Sequence, residues 1–304
     1  MLIRRGFKPC RDADPGRAVA IGNFDGLHLG HQAILAALRE RGRELRLPAA
    51  VVCFEPQPKE YFRPAAAPAR LMRLRDKAVG IAAAGVDELR VLRFDAGLAG
   101  LEAETFIERV LVGALRARHV VIGEGFRFGK ARGGDVDALR RAGLPVDAVP
   151  PRMSAGSPVS STRVREALAA GRMEEANVLL GRDFRIGGRV IEGRKLGREL
   201  GFRTANLRLH RRVSPVAGIF AVRVSGAGLE RQDGIASVGT RPTVGGTEWL
   251  LEAHVFDYEG DFYGARLEVD FLARLRDEVR FDTVEAMTAQ MHDDALHARK
   301  LLAH

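Results

Sequence analysis

The sequence is poor in the residues that staple, stack or span. It holds two cysteines, one tryptophan and three tyrosines, and aromatic residues make up 6%. Two thiols, Cys10 and Cys53, build no disulfide framework, and no C-x-x-C pair points to zinc. So few aromatics make poor platforms for stacking nucleic-acid bases. No apolar run approaches the roughly 18 residues of a membrane span. The first residues, Met1-Leu2-Ile3-Arg4-Arg5-Gly6, lack the long apolar stretch of a secretory signal, so a cytoplasmic location is expected. No G-x-S-x-G elbow occurs and neither cysteine adjoins a histidine in sequence, so no nucleophile for covalent catalysis stands out.

What is present reads as globular. Charged residues are 29% and hydrophobic ones 46%, and 304 residues exceed one usual domain, so two domains are expected. The formal charge is +9, with 48 Lys and Arg against 39 Asp and Glu. It divides unevenly. Residues 1–182 hold 30 Lys and Arg against 21 Asp and Glu, whereas residues 183–304 hold 18 of each. The anionic partner implied by the excess belongs to the first part. A nucleic-acid-binding barrel would account for a basic chain, but the second part is neutral.

The first part alternates two periodicities. Residues 18–23, 49–54, 89–94, 120–122 and 146–149 read as strands. Residues 31–45, 78–84, 106–115 and 135–142 read as helices, followed by two short ones at 162–170 and 174–180. Repeated βα units predict a parallel sheet with helices on both faces. Beyond residue 182 helical spacing is scarce. Strands are expected at 219–224, 233–238, 250–256 and 267–272, which suggests a barrel or sandwich, and a last helix at 283–302. The boundary is placed near 182.

The sharpest motif is Gly22-Asn23-Phe24-Asp25-Gly26-Leu27-His28-Leu29-Gly30-His31. It ends a strand and opens a helix. The first N–H groups of a helix are unpaired and partly positive, which suits phosphate. His28 and His31 lie one turn apart and can both aim donors at phosphate oxygens. A metal site of His28, His31 and Asp25 has no further ligand cluster behind it. Ser160-Ser161-Thr162-Arg163-Val164-Arg165 opens another helix, either as an ordinary capped start or as a second phosphate contact. Gly123 to Ala131 imitates a P-loop, but the spacing is one residue too long and Ala131 lacks the required hydroxyl.

In the second part, residues 193–206 are rich in glycine and cations. Alone they read as a basic hairpin loop. Their backbone N–H groups suit phosphates, and Thr204 and Asn206 offer neutral oxygens for Mg²⁺ or a nucleotide. Trp249 to Phe256 reads as a strand. Alternation sets Glu252 and His254 on one face with Leu250 and Phe256, either as solvent-facing groups or with Glu252 as a general base.

Together these motifs resemble the bacterial bifunctional riboflavin kinase/FMN adenylyltransferase (FAD synthetase) family along nearly the whole chain. The carrying residues are Gly22 to His31, Phe54-Glu55-Pro56-Gln57-Pro58, Phe126-Arg127-Phe128-Gly129 and Ser160 to Arg165. They continue with Gly197-Arg198, Gly201 to Leu207, Gly239-Thr240-Arg241-Pro242-Thr243, and Glu252 through Gly264. The resemblance implies an α/β nucleotidyltransferase domain of Rossmann-like type over 1–182. A six-stranded all-β barrel with a C-terminal helix would follow over 183–304. It implies an ATP-phosphate site at His28, His31, Ser160, Thr162 and Arg165, with Arg163 an added cation and Gly22, Asn23, Phe24 and Asp25 as the adjoining loop. It implies Mg²⁺–ATP ligands at Thr204 and Asn206, and Glu252 as the base that activates riboflavin. The substrates would be riboflavin, FMN and ATP, and the product FAD. Small molecules are then the expected partners, with no nucleic acid and no membrane. The oligomeric state stays open between a monomer and a weak homo-oligomer. Two positions depart from the family: Arg203 stands where proline is usual, and Gly125 where Asp or Asn is common.

Overall fold

The structure is a computed structural model. It describes residues 1–7, 15–192, 202–243 and 246–303, with 242–243 and 246–247 described by backbone alone. Cys10 and segment 193–201, which holds most of the expected phosphate-wrapping loop, lie outside the described residues. The chain forms two compact units. One joins Met1–Pro68 to Met72–Ser160, and the other joins Ala69–Leu71 to Ser161–His304.

The first unit is built on a parallel sheet. Its strands are β1 (Leu2–Arg5), β2 (Arg17–Ile21), β3 (Ala49–Glu55), β4 (Glu88–Arg93), β5 (Ala117–Gly123) and β6 (Val146–Val149), in the order β1-β4-β3-β2-β5-β6. Its helices are α1 (Leu29–Leu45), α2 (Pro58–Phe62), α3 (Leu74–Ala83), α4 (Ala96–Ala99), α5 (Ala103–Phe106) and α6 (Val136–Arg141). The helix expected at 106–115 is π-helical over Ile107–Ala114 and continues α5. A short hairpin, β7 (Met153–Ser154) and β8 (Ser157–Pro158), ends the unit.

Period-two alternation sorts the strand side chains between two cores. Val19, Ile21, Ala50, Val52 and Phe54 point to the face that packs Phe106, Leu111 and Leu139. Ala18, Ala20, Ala49, Val51 and Cys53 point to the other, where Leu35, Leu38 and Ile81 of α1 and α3 cover them. Both faces are therefore buried, as helices on both sides require. Each buried Leu or Ile contributes about 1.5–3 kcal/mol of transfer free energy. Burial pushes the Cys53 thiol up to about 11, so it stays protonated and unreactive at neutral pH. Strand β1 lies outside the strands expected from periodicity. All four of its residues are exposed, so no hydrophobic alternation marks it.

The second unit is a closed antiparallel barrel. Strands β9 (Phe184–Ile191), β10 (Thr204–Arg208), β11 (Gly218–Gly226), β12 (Leu229–Thr243), β13 (Gly246–Val255) and β14 (Arg266–Arg276) close in the order β10-β13-β12-β11-β14-β9. The unit also takes α7 (Ser161–Ala169) and α8 (Met173–Leu180). Asn177 of α8 explains their placement. Its amide receives the Phe184 N–H at 2.8 Å and donates to the Phe271 carbonyl at 3.1 Å, locking the helix onto β9 and β14. Periodicity thus changes near residue 182, whereas packing changes at 160.

The final helix, α9 (Val284–Leu302), is N-capped by Thr283. Its Ala298 and Leu302 cover Ala221, Ile235 and Phe256 on the barrel exterior. Strands β9 and β10 carry no clear strand signal in the sequence. Glycines hide the first: Gly188 stands where Leu207 of β10 closes the barrel seam, and a Cβ there would lie 3.1 Å from that side chain. Among the described residues, no helix is long and apolar enough to cross a membrane.

Candidate active sites

In the first unit, β3 and β4 lie to one side of β2, and β5 and β6 to the other. The strand order therefore reverses between β2 and β5. The carboxyl ends of such a pair form the usual ligand crevice of an open parallel sheet. Both loops there carry motifs: Gly22 to His31 follows β2, and Gly125 to Gly129 follows β5.

The β2 loop is strained and well anchored. Phe24, Gly26 and Leu27 all have positive φ, at 48°, 88° and 46°. Such conformations cost a non-glycine residue about 1–3 kcal/mol and persist where surrounding structure holds them. Phe24 and Leu27 are buried in the core of the α1 face. Buried Asp25 accepts the Met72 N–H through Oδ1 at 3.0 Å. Buried Asn23 Oδ1 has no hydrogen-bond partner among the described residues, the kind of group found where a ligand completes a site.

His28 is the N-cap of α1, and its Nδ1 accepts the His31 N–H at 3.4 Å. The ring proton then sits on Nε2. The His28 and His31 rings stack with centroids 3.7 Å apart and an interplanar angle of 20°. Helix geometry leaves the N–H groups of Leu29 and Gly30 without intrahelical acceptors. At Gly30 a Cβ would lie 3.2 Å from the His28 ring and 3.7 Å from the Val159 carbonyl. The glycine thus lets Val159, next to Ser160, come up to the helix start.

Of the other expected phosphate contacts, Ser160 ends the first unit, and Thr162, Arg163 and Arg165 belong to α7 of the second. Ser160 immediately precedes that helix and Thr162 is exposed on it. Arg163 lies 3.9 Å from Glu175 of α8. Arg165 donates to the Ala69 carbonyl at 2.6 Å and the Ser161 carbonyl at 3.1 Å. Lys130, the lysine of the segment that imitates a P-loop, pairs with Glu102 at 2.8 Å.

Two further features lie at the ends of β3 and β4. Gln57 follows the cis Glu55–Pro56 bond, is buried, and has no partner for Nε2 among the described residues. Phe94, just beyond β4, meets Phe54, Tyr61 and Phe62 edge-on at 5.4–5.8 Å. Phe62 is 62% exposed. An exposed aromatic group at strand ends suits a planar ligand. Its members come from three separate segments, so no short motif marks it.

In the second unit, register assembles the site. Antiparallel pairing sets Thr204 opposite His254 and Asn206 opposite Glu252. Directly opposed side chains share a face. Thr204, Asn206, Glu252 and His254 therefore form one outer patch, while Ala205, Leu207, Leu251 and Ala253 fill the interior. On the next strand Ser237 opposes Glu252. Thr204 and Asn206 line a cavity of about 90 Å³ shared with Val190, Tyr258, Asp261 and Phe262. The Tyr258 and Phe262 rings stack at 4.6 Å.

Several contacts tune this patch. Arg241 pairs with Glu252. His254 donates from Nδ1 to the Arg203 carbonyl at 2.9 Å. Burial lowers the His254 pKa, against that hydrogen bond. Arg203 turns its guanidinium to the Glu259 carbonyl. Glu278 is pushed up by partial burial, opposed by Arg241 and Arg276. Among the described residues, no cluster of three or more His, Cys, Asp or Glu is arranged to hold a metal ion.

Known proteins match both units. The FAD synthetase family model matches residues 10–163, and the riboflavin kinase model matches residues 180–302. Proteins called bifunctional riboflavin kinase/FMN adenylyltransferase are similar along the whole chain. The Pseudomonas fluorescens protein is 46% identical over 308 residues, covering 100% of this chain and 98% of its own. The Haemophilus influenzae protein is 43% identical over 303 residues, covering 98% of each. The chain belongs to the bifunctional riboflavin kinase/FMN adenylyltransferase family.

A crystal structure from Streptococcus pneumoniae, described as a macrolide-efflux protein, shares the architecture of this chain. It is 30% identical, covers 97% of both chains and has a TM-score of 0.83. The two family models leave residues 164–179 between them. That interval holds most of α7 and α8, the helices that pack with the barrel. The family's order of FAD synthetase then riboflavin kinase matches the order of parallel sheet then barrel.

Proposed function

We propose that this chain phosphorylates riboflavin with ATP to give FMN and ADP, then adenylylates FMN with a second ATP to give FAD and pyrophosphate. Residues 1–182 carry the adenylyl transfer and residues 183–304 the kinase. The observation that carries the reading is that each unit presents a distinct set of motif residues. The loops at Gly22 to His31 and Gly125 to Gly129 meet at the β2/β5 crevice, and Thr204, Asn206 and Glu252 face outward from paired β10 and β13.

In adenylyl transfer, an FMN phosphate oxygen attacks the α-phosphorus of ATP in line and pyrophosphate leaves. No enzyme nucleophile is needed. Catalysis is positioning and charge stabilisation. The α1 N-terminus, His28 Nε2, His31 and Ser160 supply donors in the first unit, and Thr162, Arg163 and Arg165 are the donors of the second motif, carried on α7. The aromatic group around Phe94 offers the flavin ring a flat apolar surface. In the kinase reaction, Glu252 takes the proton of the terminal ribityl hydroxyl as its oxygen bonds to the γ-phosphorus and ADP leaves. Thr204 and Asn206 would hold the Mg²⁺ of the ATP complex through neutral oxygens such a hard cation accepts, and the cation would supply charge neutralisation at the phosphates. These are small-molecule reactions of the cytoplasm. They need neither nucleic acid nor membrane.

The test is a product assay. Purified protein is incubated with riboflavin, ATP and Mg²⁺, and flavins are resolved by chromatography. Both FMN and FAD are expected. FAD formed only when FMN is supplied would leave the adenylyltransferase and remove the kinase.

A further inference from the structure

The outer face of the barrel places two carboxylates, Glu252 and Glu278, near the strand that carries Arg241. Along β12 the outward positions are Ser237, Gly239 and Arg241, and along β13 they are Glu252, Leu250 and Glu248, paired in that order. Arg241 reaches back past Gly239 to pair with Glu252. The Glu278 carboxylate packs over Gly239, which it can do only because that residue lacks a side chain: a Cβ there would overlap it. Glu278 lies beyond the end of β14, yet it sits over the middle of β12. Its segment is fixed from behind, since Arg276 makes three bonds of 2.7–3.0 Å to buried Asp294 of α9. Arg241 therefore pairs with Glu252 while the Glu278 carboxylate sits over Gly239, two residues along the same strand face.

A guanidinium held on a carboxylate occupies the lone pairs that a base must offer to a proton. We infer that Glu278 is a positioning residue for the kinase: it offers Arg241, which rests on Glu252 in this structure, a second carboxylate to move to, so that the Glu252 carboxylate opens to the riboflavin hydroxyl. This rests on Glu252 being the base. The other titratable and charged groups facing this patch are His254 and Glu248 on β13 and Arg208 on β10, which pairs with Glu248 at 3.4 Å, with Arg276 acting on Glu278. Of these only Arg241 pairs directly with Glu252 among the ion pairs of the described residues.

The experiment measures FMN formation from riboflavin against pH in the full chain. The variants are Glu278→Gln, Gly239→Ala, Glu252→Gln, and the first two combined with Arg241→Met. With Glu278 neutralised, Arg241 stays on Glu252. The expected kcat falls about tenfold or more, KM for riboflavin changes little, and the acid limb of the kcat profile moves to lower pH. Gly239→Ala displaces the Glu278 carboxylate without changing charge and is expected to do the same. Adding Arg241→Met is expected to recover most of the lost kcat and return the limb upward. A merely structural role moves no limb and gains nothing from Arg241→Met. Wild-type kcat and limb in both Glu278→Gln and Gly239→Ala would overturn the role, as would failure of Arg241→Met to rescue either. Kinase activity retained by Glu252→Gln overturns the base assignment itself, and this role with it. An inactive Glu252→Gln beside unaffected Glu278→Gln and Gly239→Ala overturns the positioning role alone.

Discussion

The two units build their sites in opposite ways. In the parallel sheet, the leading motif is contiguous in sequence. Ten residues from Gly22 to His31 supply a strained loop, two stacked imidazoles and a helix start. Sheet topology only has to deliver that loop to the crevice. In the barrel, the chemistry is dispersed. Asn206 and Glu252 meet because of register between β10 and β13, and Glu278 arrives from beyond β14. A contiguous site tolerates distant change but not a shift in its own backbone. A register-built site depends on every strand that sets the pairing.

The strongest way to separate the two is Glu252→Gln. Loss of a general base costs about 10²–10⁴ in rate, so FMN formation from riboflavin should fall by that range. FAD formation from supplied FMN should be unchanged. Steady-state assays with each flavin decide it, and equal losses in both would mean the sites are not independent.

Gly30→Ala attacks the contiguous site. The added methyl meets the His28 ring at 3.2 Å and must shift it or the helix start. A misplacement near 1 Å can cost up to about 10²-fold, so FAD formation should drop about tenfold or more while the kinase keeps its rate. Retained adenylyl transfer would show that the close packing of His28 on α1 is not needed.

Smaller effects come from the two departures from family pattern. Arg203 holds the Glu259 carbonyl through its side chain and receives His254 through its backbone. Arg203→Pro keeps the second contact and removes the first, along with a cation beside Thr204. We expect a change of a few-fold in the kinase KM for ATP, set against the roughly 0.4–1 kcal/mol that a compatible proline contributes. Unaltered kinase constants would show that residue 203 acts on neither. At Gly125 an added Cβ would meet nothing within 4 Å, and the backbone has no positive φ. Gly125→Asn should therefore change the unfolding free energy by less than about 0.5 kcal/mol. Its effect should appear only in the rate or reversibility of FAD formation, and unchanged kinetics there would show that this position is neutral.

The same contrast explains what is legible in the sequence. The βα alternation of the first unit, the loop at Gly22 to His31 and the final helix all follow from local periodicity and turn chemistry. Strand β6, Val146–Val149, matches the expected strand residue for residue. Strands β9 and β10 do not show, because glycines and loop-like composition mask strands whose partner is remote. Thr204 and Asn206 therefore read as loop residues, although they lie on a strand facing Glu252. The Phe94 group and Glu278 are hidden for the same reason: their neighbours are set by topology, not by spacing. The sign of the charge is legible at the level of domains, where the basic excess falls on residues 1–182. Those residues carry the site proposed to hold two phosphorylated substrates at once. The neutral remainder is proposed to act on uncharged riboflavin.

The most direct test of two chemistries on two units is a crossed feed of one variant. Glu252→Gln protein is given ATP and Mg²⁺ with riboflavin in one vessel and FMN in another, and the flavins are separated by chromatography. The expected result is FAD from FMN at the wild-type rate and almost no FMN or FAD from riboflavin. Wild-type FMN from riboflavin, or loss of FAD from FMN, would contradict it.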